Sequence, residues 1–177
     1  MTLHHFARRR ARVTDALVAA CIAAAIGITA CGGKPASQDA APAAAAAAAP
    51  AGAPDGATIY LRCAACHQPT GLGLPGTYPP LAGSEIANGP AATPIRIVLR
   101  GLQGPITVHG TPFNSVMPAY GTGVEMSDAE VAAVLSYVRS QWGNTGGPVT
   151  ADQVAAERAA SANHPSPWTA AELGLKP

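Results

Sequence analysis

The stretch YLRCAACHQPTG, residues 60–71, places two cysteines and a histidine within five positions. The whole chain of 177 residues has four cysteines, so Cys63 and Cys66 have few companions. A structural zinc site would want a second ligand pair, and only Cys31 and Cys21 remain, both near the N-terminus. A thioredoxin-like redox pair would want a βαβ setting, which the surrounding pattern lacks. A disulfide between the two stays open on spacing alone. The histidine directly after Cys66 favours covalent haem. Two thiols about one helical turn apart can add to the two vinyl groups on one edge of the macrocycle, and the adjoining imidazole of His67 then reaches the iron.

Haem iron held by one imidazole asks for a second axial ligand, and Met117 is the candidate. Met117-Pro118 lies in a loop bounded by Gly and Pro and not on a helix face, where a methionine would more often be core filler. A thioether opposite an imidazole is the pairing that raises a haem potential. Met126 ranks below it, because it sits one residue before a helix cap at Ser127.

Outward from this centre, Asp55 to Leu61 reads as a short helix leading into the cysteines, and residues 68–92 as loop rich in Gly and Pro. Pro94 to Gly101 fits a helix with Pro in its first turn and Gly at its end. In MSDAEVAAVLSYVRSQWG, Ser127 and Glu130 form a capping box, and Val131, Val134, Leu135, Val138 and Trp142 share one helical face. Two weaker helix starts follow, Thr150 with Gln153 and Thr169 with Glu172, in a tail over residues 145–177 with little to bury. That tail is expected to wrap the domain or to engage a partner.

The N-terminal third reads differently. Residues 1–31 resemble an export signal: an Arg-rich start, the apolar run ALVAACIAAAIGITA, then Cys31. The run is short for a membrane span. Ile28-Thr29-Ala30-Cys31 looks like a bacterial lipobox, with Cys31 as the lipidated residue; an ordinary cleaved signal or an uncleaved anchor is the alternative. Residues 32–54, rich in Ala and Pro, read as a flexible tether. The formal charge of +1 hides an uneven spread, because four of the eleven basic residues lie at positions 8–12. Beyond residue 30, seven basic residues face nine acidic ones, and no basic patch is interleaved with aromatics. Nucleic acid is therefore excluded as a partner.

Residues 55–144 resemble a monohaem class I cytochrome c. The resemblance rests on Gly56 and Tyr60 before the haem motif, CAACH, PPLAGS at 79–84, MPAY at 117–120, and the last helix with Tyr137 and Trp142. LRGLQGPITVHG and QWGN are further similar to the cytochrome domains attached to bacterial periplasmic alcohol and sugar-acid dehydrogenases. The resemblance implies an all-α fold of short helices around one covalent haem c. It implies that the Pro79 carbonyl accepts from the His67 ring, that Gly56 lets the first and last helices cross closely, and that Arg96 or Arg100 pairs with a haem propionate. The implied activity is electron transfer without catalysis, between a dehydrogenase or quinol-oxidising complex and an acceptor such as a terminal oxidase, on the periplasmic side of a membrane. Two alternatives are a dedicated subunit of a dehydrogenase complex, docked by the tail, and a haem enzyme or sensor with a labile Met117.

Overall fold

Among the described residues, four of the six helices start where a short polar side chain takes up the free amides of the first turn. The computed structural model describes residues 52–120, 125–165 and 167–177. The expectations for Cys31, the signal and most of the tether lie outside these residues. Asp55 caps α1 (Gly56–Tyr60) by accepting from Ala57 and Thr58. The haem motif forms α2 (Ala64–His67), a single turn. Ser84 caps a further single turn, α3 (Glu85–Asn88), inside the stretch expected to be loop.

α4 (Ala92–Arg100) has Pro94 in its first turn and ends at Gly101, whose φ of 80° suits glycine. α5 (Asp128–Val138) carries the Ser127–Glu130 capping box, with both reciprocal bonds made. It ends at Val138, so Trp142 lies beyond it in a turn with φ 52° and not on its face. α6 (Ala151–Ala160) starts at the Thr150–Gln153 box. Thr169 and Glu172 also exchange hydrogen bonds, but only a turn follows them, because Trp168 and Thr169 are taken up in a strand.

The fold is mostly helical, as expected, with four short strands among the described residues. β2 (Ile106–Val108) and β3 (Thr111–Phe113) make an antiparallel hairpin. Its two-residue turn, His109-Gly110, has φ of 51° and 72°, both positive as a type I′ turn requires. β1 (Leu102–Gln103) pairs in parallel with β4 (Trp168–Thr169), joining the middle of the chain to its tail.

Two apolar clusters result. One gathers Tyr60, Ile95, Leu99, Val131, Val134, Leu135 and Val138, and the tail adds Val149 and the fully buried Val154. The other holds Ile97, Leu102, Ile106, Val108 and Phe113, with Trp168, Leu173 and Leu175 packed on it. α4 serves both, because Ile95 and Leu99 share one face while Ile97 looks the other way. The tail thus has more to bury than its sequence suggests, and residues 145–177 fold onto the domain.

α1 crosses α5 at Gly56, where an added Cβ would sit on the Ala133 carbonyl and 2.9 Å from Tyr137 Cβ. Only glycine permits that approach. Above the crossing, the rings of Tyr60 and Tyr137 lie 5.5 Å apart, and Trp142 is 5.1 Å from Tyr60 and edge-on to Tyr137.

Candidate haem-binding site

The haem motif is presented by local backbone. The Cys63 amide donates to the Tyr60 carbonyl at 2.8 Å, and the His67 amide to the Cys63 carbonyl at 3.0 Å, which winds the two cysteines onto one turn. Directly after His67 the chain leaves the helix through Gln68, whose φ of 62° is uncommon outside glycine. The Tyr60 hydroxyl holds that residue by donating to its carbonyl at 2.7 Å. Cys63 and Cys66 are both free, so no disulfide joins them. Burial pushes the Cys63 thiol above its usual pKa, against a smaller opposing pull from Arg62.

His67 is 8% exposed. Its Nδ1 lies 3.0 Å from the Pro79 carbonyl oxygen, the contact expected of Pro79. A carbonyl can only accept, so Nδ1 carries the proton and Nε2 is left with its lone pair. Burial lowers the imidazole pKa, with the Pro79 bond acting the other way, so the neutral ring is favoured.

These groups line a cleft with two adjoining lobes of about 860 and about 570 Å³, part of that space open to solvent. Cys63, His67, Pro79, Leu102, Ile106, Met117 and Tyr120 border both. The smaller lobe brings Cys63, Cys66, His67 and Met117 together. The larger is walled by aliphatic side chains of α4 and α5, including Ile97, Val98, Val134, Leu135 and Val138. Met126 borders the larger lobe alone, 3% exposed, while its carbonyl accepts from Arg158 at 2.8 Å. Among the described residues no Asp or Glu lines either lobe.

An apolar cleft of this size, with two thiols at one edge and a neutral imidazole and a thioether in its lining, fits a covalently held haem. The fit rests on this chain's own donors. Cys63 and Cys66 would form the two thioethers and His67 would supply an axial nitrogen.

Arg96 and Arg100 do not reach the cleft. Four residues apart, they share the face of α4 turned toward α6: Arg96 Nε pairs with Glu157 at 2.6 Å, and Arg100 donates to the Ala162 carbonyl at 3.0 Å. The cation on the cleft wall is Arg139, a residue the sequence reading passed over. It is 5% exposed and donates to the carbonyls of Ala87 at 2.6 Å, Gly89 at 2.9 Å and Gly147 at 2.9 Å, and also to that of Gly146. Desolvation lowers its pKa from the usual value, though a guanidinium stays charged. Its place in the sequence held a signal: Val131, Leu135 and Arg139 follow one another at helical spacing, so the cation continues a buried stripe.

Comparison with known proteins agrees with this site. Residues 53–142 match the family model described as Cytochrome c. The chain is 42% identical over 112 residues to cytochrome c-552 of Thermus thermophilus, a match covering 58% of this chain and 83% of that protein. It is 38% identical over 109 residues to the gluconate 2-dehydrogenase cytochrome c subunit of Pantoea cypripedii, where 58% of this chain meets 23% of the relative. It is 32% identical over 102 residues to the cytochrome c subunit of the quinone alcohol dehydrogenase of Gluconobacter oxydans, covering 55% of this chain and 20% of that subunit. With a family match over half its length and the motif residues gathered in one apolar cleft, the chain belongs to the cytochrome c family, electron carriers whose haem c is covalently bound, and Cys63 and Cys66 could form its attachment motif.

Proposed function

We propose that this cytochrome is an exported one-electron carrier with His67 and Met117 as its axial ligands. The observation that carries the ligation is the smaller lobe, which Met117 shares with both cysteines and His67 while Met126 stands outside it. The haem, when bound, supplies an Fe(II)/Fe(III) couple. With both axial positions filled by protein, no site is left for a substrate, and the activity is outer-sphere transfer without catalysis of its own. The chain's part is to fix the tautomer of His67 through Pro79, to exclude water with the aliphatic walls, and to leave an edge near Cys63 and Cys66 open to a partner.

Val116, which borders the smaller lobe, and three leucines near the haem motif in sequence are exposed apolar residues. Leu61, Leu72, Leu74 and Val116 are 70%, 63%, 47% and 61% exposed; the first three flank the haem motif in sequence and Val116 adjoins Met117. Such residues suit brief docking with a dehydrogenase or quinol-oxidising complex as donor and a terminal oxidase as acceptor. The dedicated-subunit reading draws support from the dehydrogenase subunits among the relatives. A docking role for the tail finds less support, because α6 and β4 are already engaged by their own domain. We place the domain on the periplasmic side of a bacterial membrane, anchored by lipid at Cys31.

The test is a visible spectrum of the exported protein, oxidised and reduced, with and without carbon monoxide. Low-spin bands that ignore carbon monoxide, with the weak red band of sulfur bound to Fe(III), are expected. A spectrum that shifts with carbon monoxide would move the reading to a haem enzyme or sensor. Incorporation of labelled fatty acid, lost in Cys31→Ala, tests the anchor.

A further inference from the structure

We infer that the last eleven described residues, 167–177, are a brace that holds Met117 at the cleft, so that the tail controls the sixth ligand. The inference rests on the Met117 ligation proposed above. Met117 is tied to Leu102 by two reciprocal backbone bonds, from Leu102 to Met117 at 3.0 Å and back at 2.9 Å. Leu102 belongs to β1, whose other edge is taken by β4 of the tail: Leu102 pairs with Trp168, and the Trp168 amide donates to the Gly101 carbonyl at 3.1 Å. The two attachments sit back to back. A Cβ on Gly101 would lie 2.6 Å from the Met117 carbonyl oxygen, so no side chain separates them.

The end of the tail fastens the neighbouring strand. The Thr107 amide donates to the Lys176 carbonyl and its hydroxyl to the Pro177 carbonyl, each at 2.8 Å. Between these points Trp168, Leu173 and Leu175 cover the apolar cluster on which Met117 packs. Without the tail, β1 would become an edge strand of two residues with one apolar side bare, and edges of that kind pair poorly and exchange fast. The Met117 segment would keep its bonds to Leu102 and, through Tyr120, one to the Val98 carbonyl at 2.9 Å. Its register would then depend on a strand that is itself loose.

The test uses the full-length haem-loaded protein with Trp168→Ala, the conservative Trp168→Phe, and Val154→Ala as a control that destabilises the other cluster. Because Trp168→Ala risks misfolding, Thr107→Val, which removes only the hydroxyl to Pro177, serves as the milder probe. In Trp168→Ala we expect carbon monoxide to bind the reduced protein at least tenfold faster, the red sulfur–iron band to weaken and the reduction potential to fall. Amide exchange at Met117 and Leu102 should quicken at least tenfold. Thr107→Val should shift the same readouts in the same direction by less, Trp168→Phe should restore them, and Val154→Ala should lower the melting temperature while leaving them unchanged. Brace variants that melt earlier yet keep the parent's spectrum, potential and amide exchange would overturn the inference. If the unaltered protein itself binds carbon monoxide and lacks the red band, Met117 ligation is what fails, and amide exchange still decides whether the tail braces residue 117.

Discussion

His67 and the carbonyl that orients it are 12 residues apart, whereas Thr107 is held from 70 residues away and Leu102 meets Trp168 from the tail. The cleft therefore has one wall built from neighbours in sequence and one assembled from distant segments. On the His67 side, a turn of helix, one tyrosine hydroxyl and one proline carbonyl suffice. On the Met117 side, two short strands and a covering of Trp168, Leu173 and Leu175 are needed, because a two-residue strand has little stability of its own. The His67 ring is thus held by local geometry and the Met117 segment by tertiary assembly. Substitutions should act differently on the two walls.

The largest effect is expected at the helix crossing, the tertiary contact that seats α1, and the turn that follows it, on α5. Gly56→Ala puts a methyl on the Ala133 carbonyl, and backbone cannot move aside cheaply. We expect a loss of about 4 kcal/mol and a melting temperature lower by more than about 10 °C. A melting curve within a few degrees of the parent would mean that α1 and α5 do not rely on this contact.

Arg139, on the wall of the larger lobe, ties α3 to residues 146–147. Arg139→Met strands four carbonyls and should cost about 3 kcal/mol in urea unfolding. Arg139→Lys should recover only part of this, since an ammonium has three donors and no planar fork. Full recovery by lysine would show that charge alone matters there.

On the tail, Arg96→Ala removes the pair with Glu157, in which the two side chains are 37% and 17% exposed; the loss should be about 1 kcal/mol or less. A double-mutant cycle with Glu157→Ala measures it, and a coupling several times larger would make α6 as firmly held as the wall around His67.

The smallest effect concerns pH. Hydrogen bonds from the Ser127 amide and hydroxyl hold the Glu130 carboxyl below its ordinary value of 4.5. Its folded pKa lies under its unfolded one, so its contribution to stability is present above the unfolded value and is lost as pH falls through the folded one. Glu172, bonded to Thr169 in the tail, has the same sign. Glu130→Gln should flatten the acid limb of a plot of melting temperature against pH; an unchanged limb would mean that other carboxylates set it.

The local wall was legible in the sequence. The haem motif, Pro79, the capping boxes at Ser127 and Thr150, and the Gly56 and Tyr60 pair each lie within one element or one family motif, and the structure places them where expected. What was hidden depends on tertiary contact. α3 is a single turn made by Ser84 in a Gly/Pro-rich stretch, and the hairpin turns on a histidine with positive φ. Arg96 and Arg100, expected at a haem propionate, instead pair toward α6 and the residues after it, while Arg139 gave no sign of its role because its partners are carbonyls from two other segments. β4 has no periodicity to announce it, being two residues long.

The pairing of Leu102 with Trp168 also has a meaning in time. A chain emerges from its N-terminus, at roughly 5–20 residues per second, and contacts between distant residues form late. The turn around His67 and its proline can close as soon as residue 79 has appeared. The strand beside Leu102 finds its partner only after a further stretch of chain has followed, some seconds later. Each new molecule therefore passes through an interval in which the cleft is finished on one side and still ajar on the other.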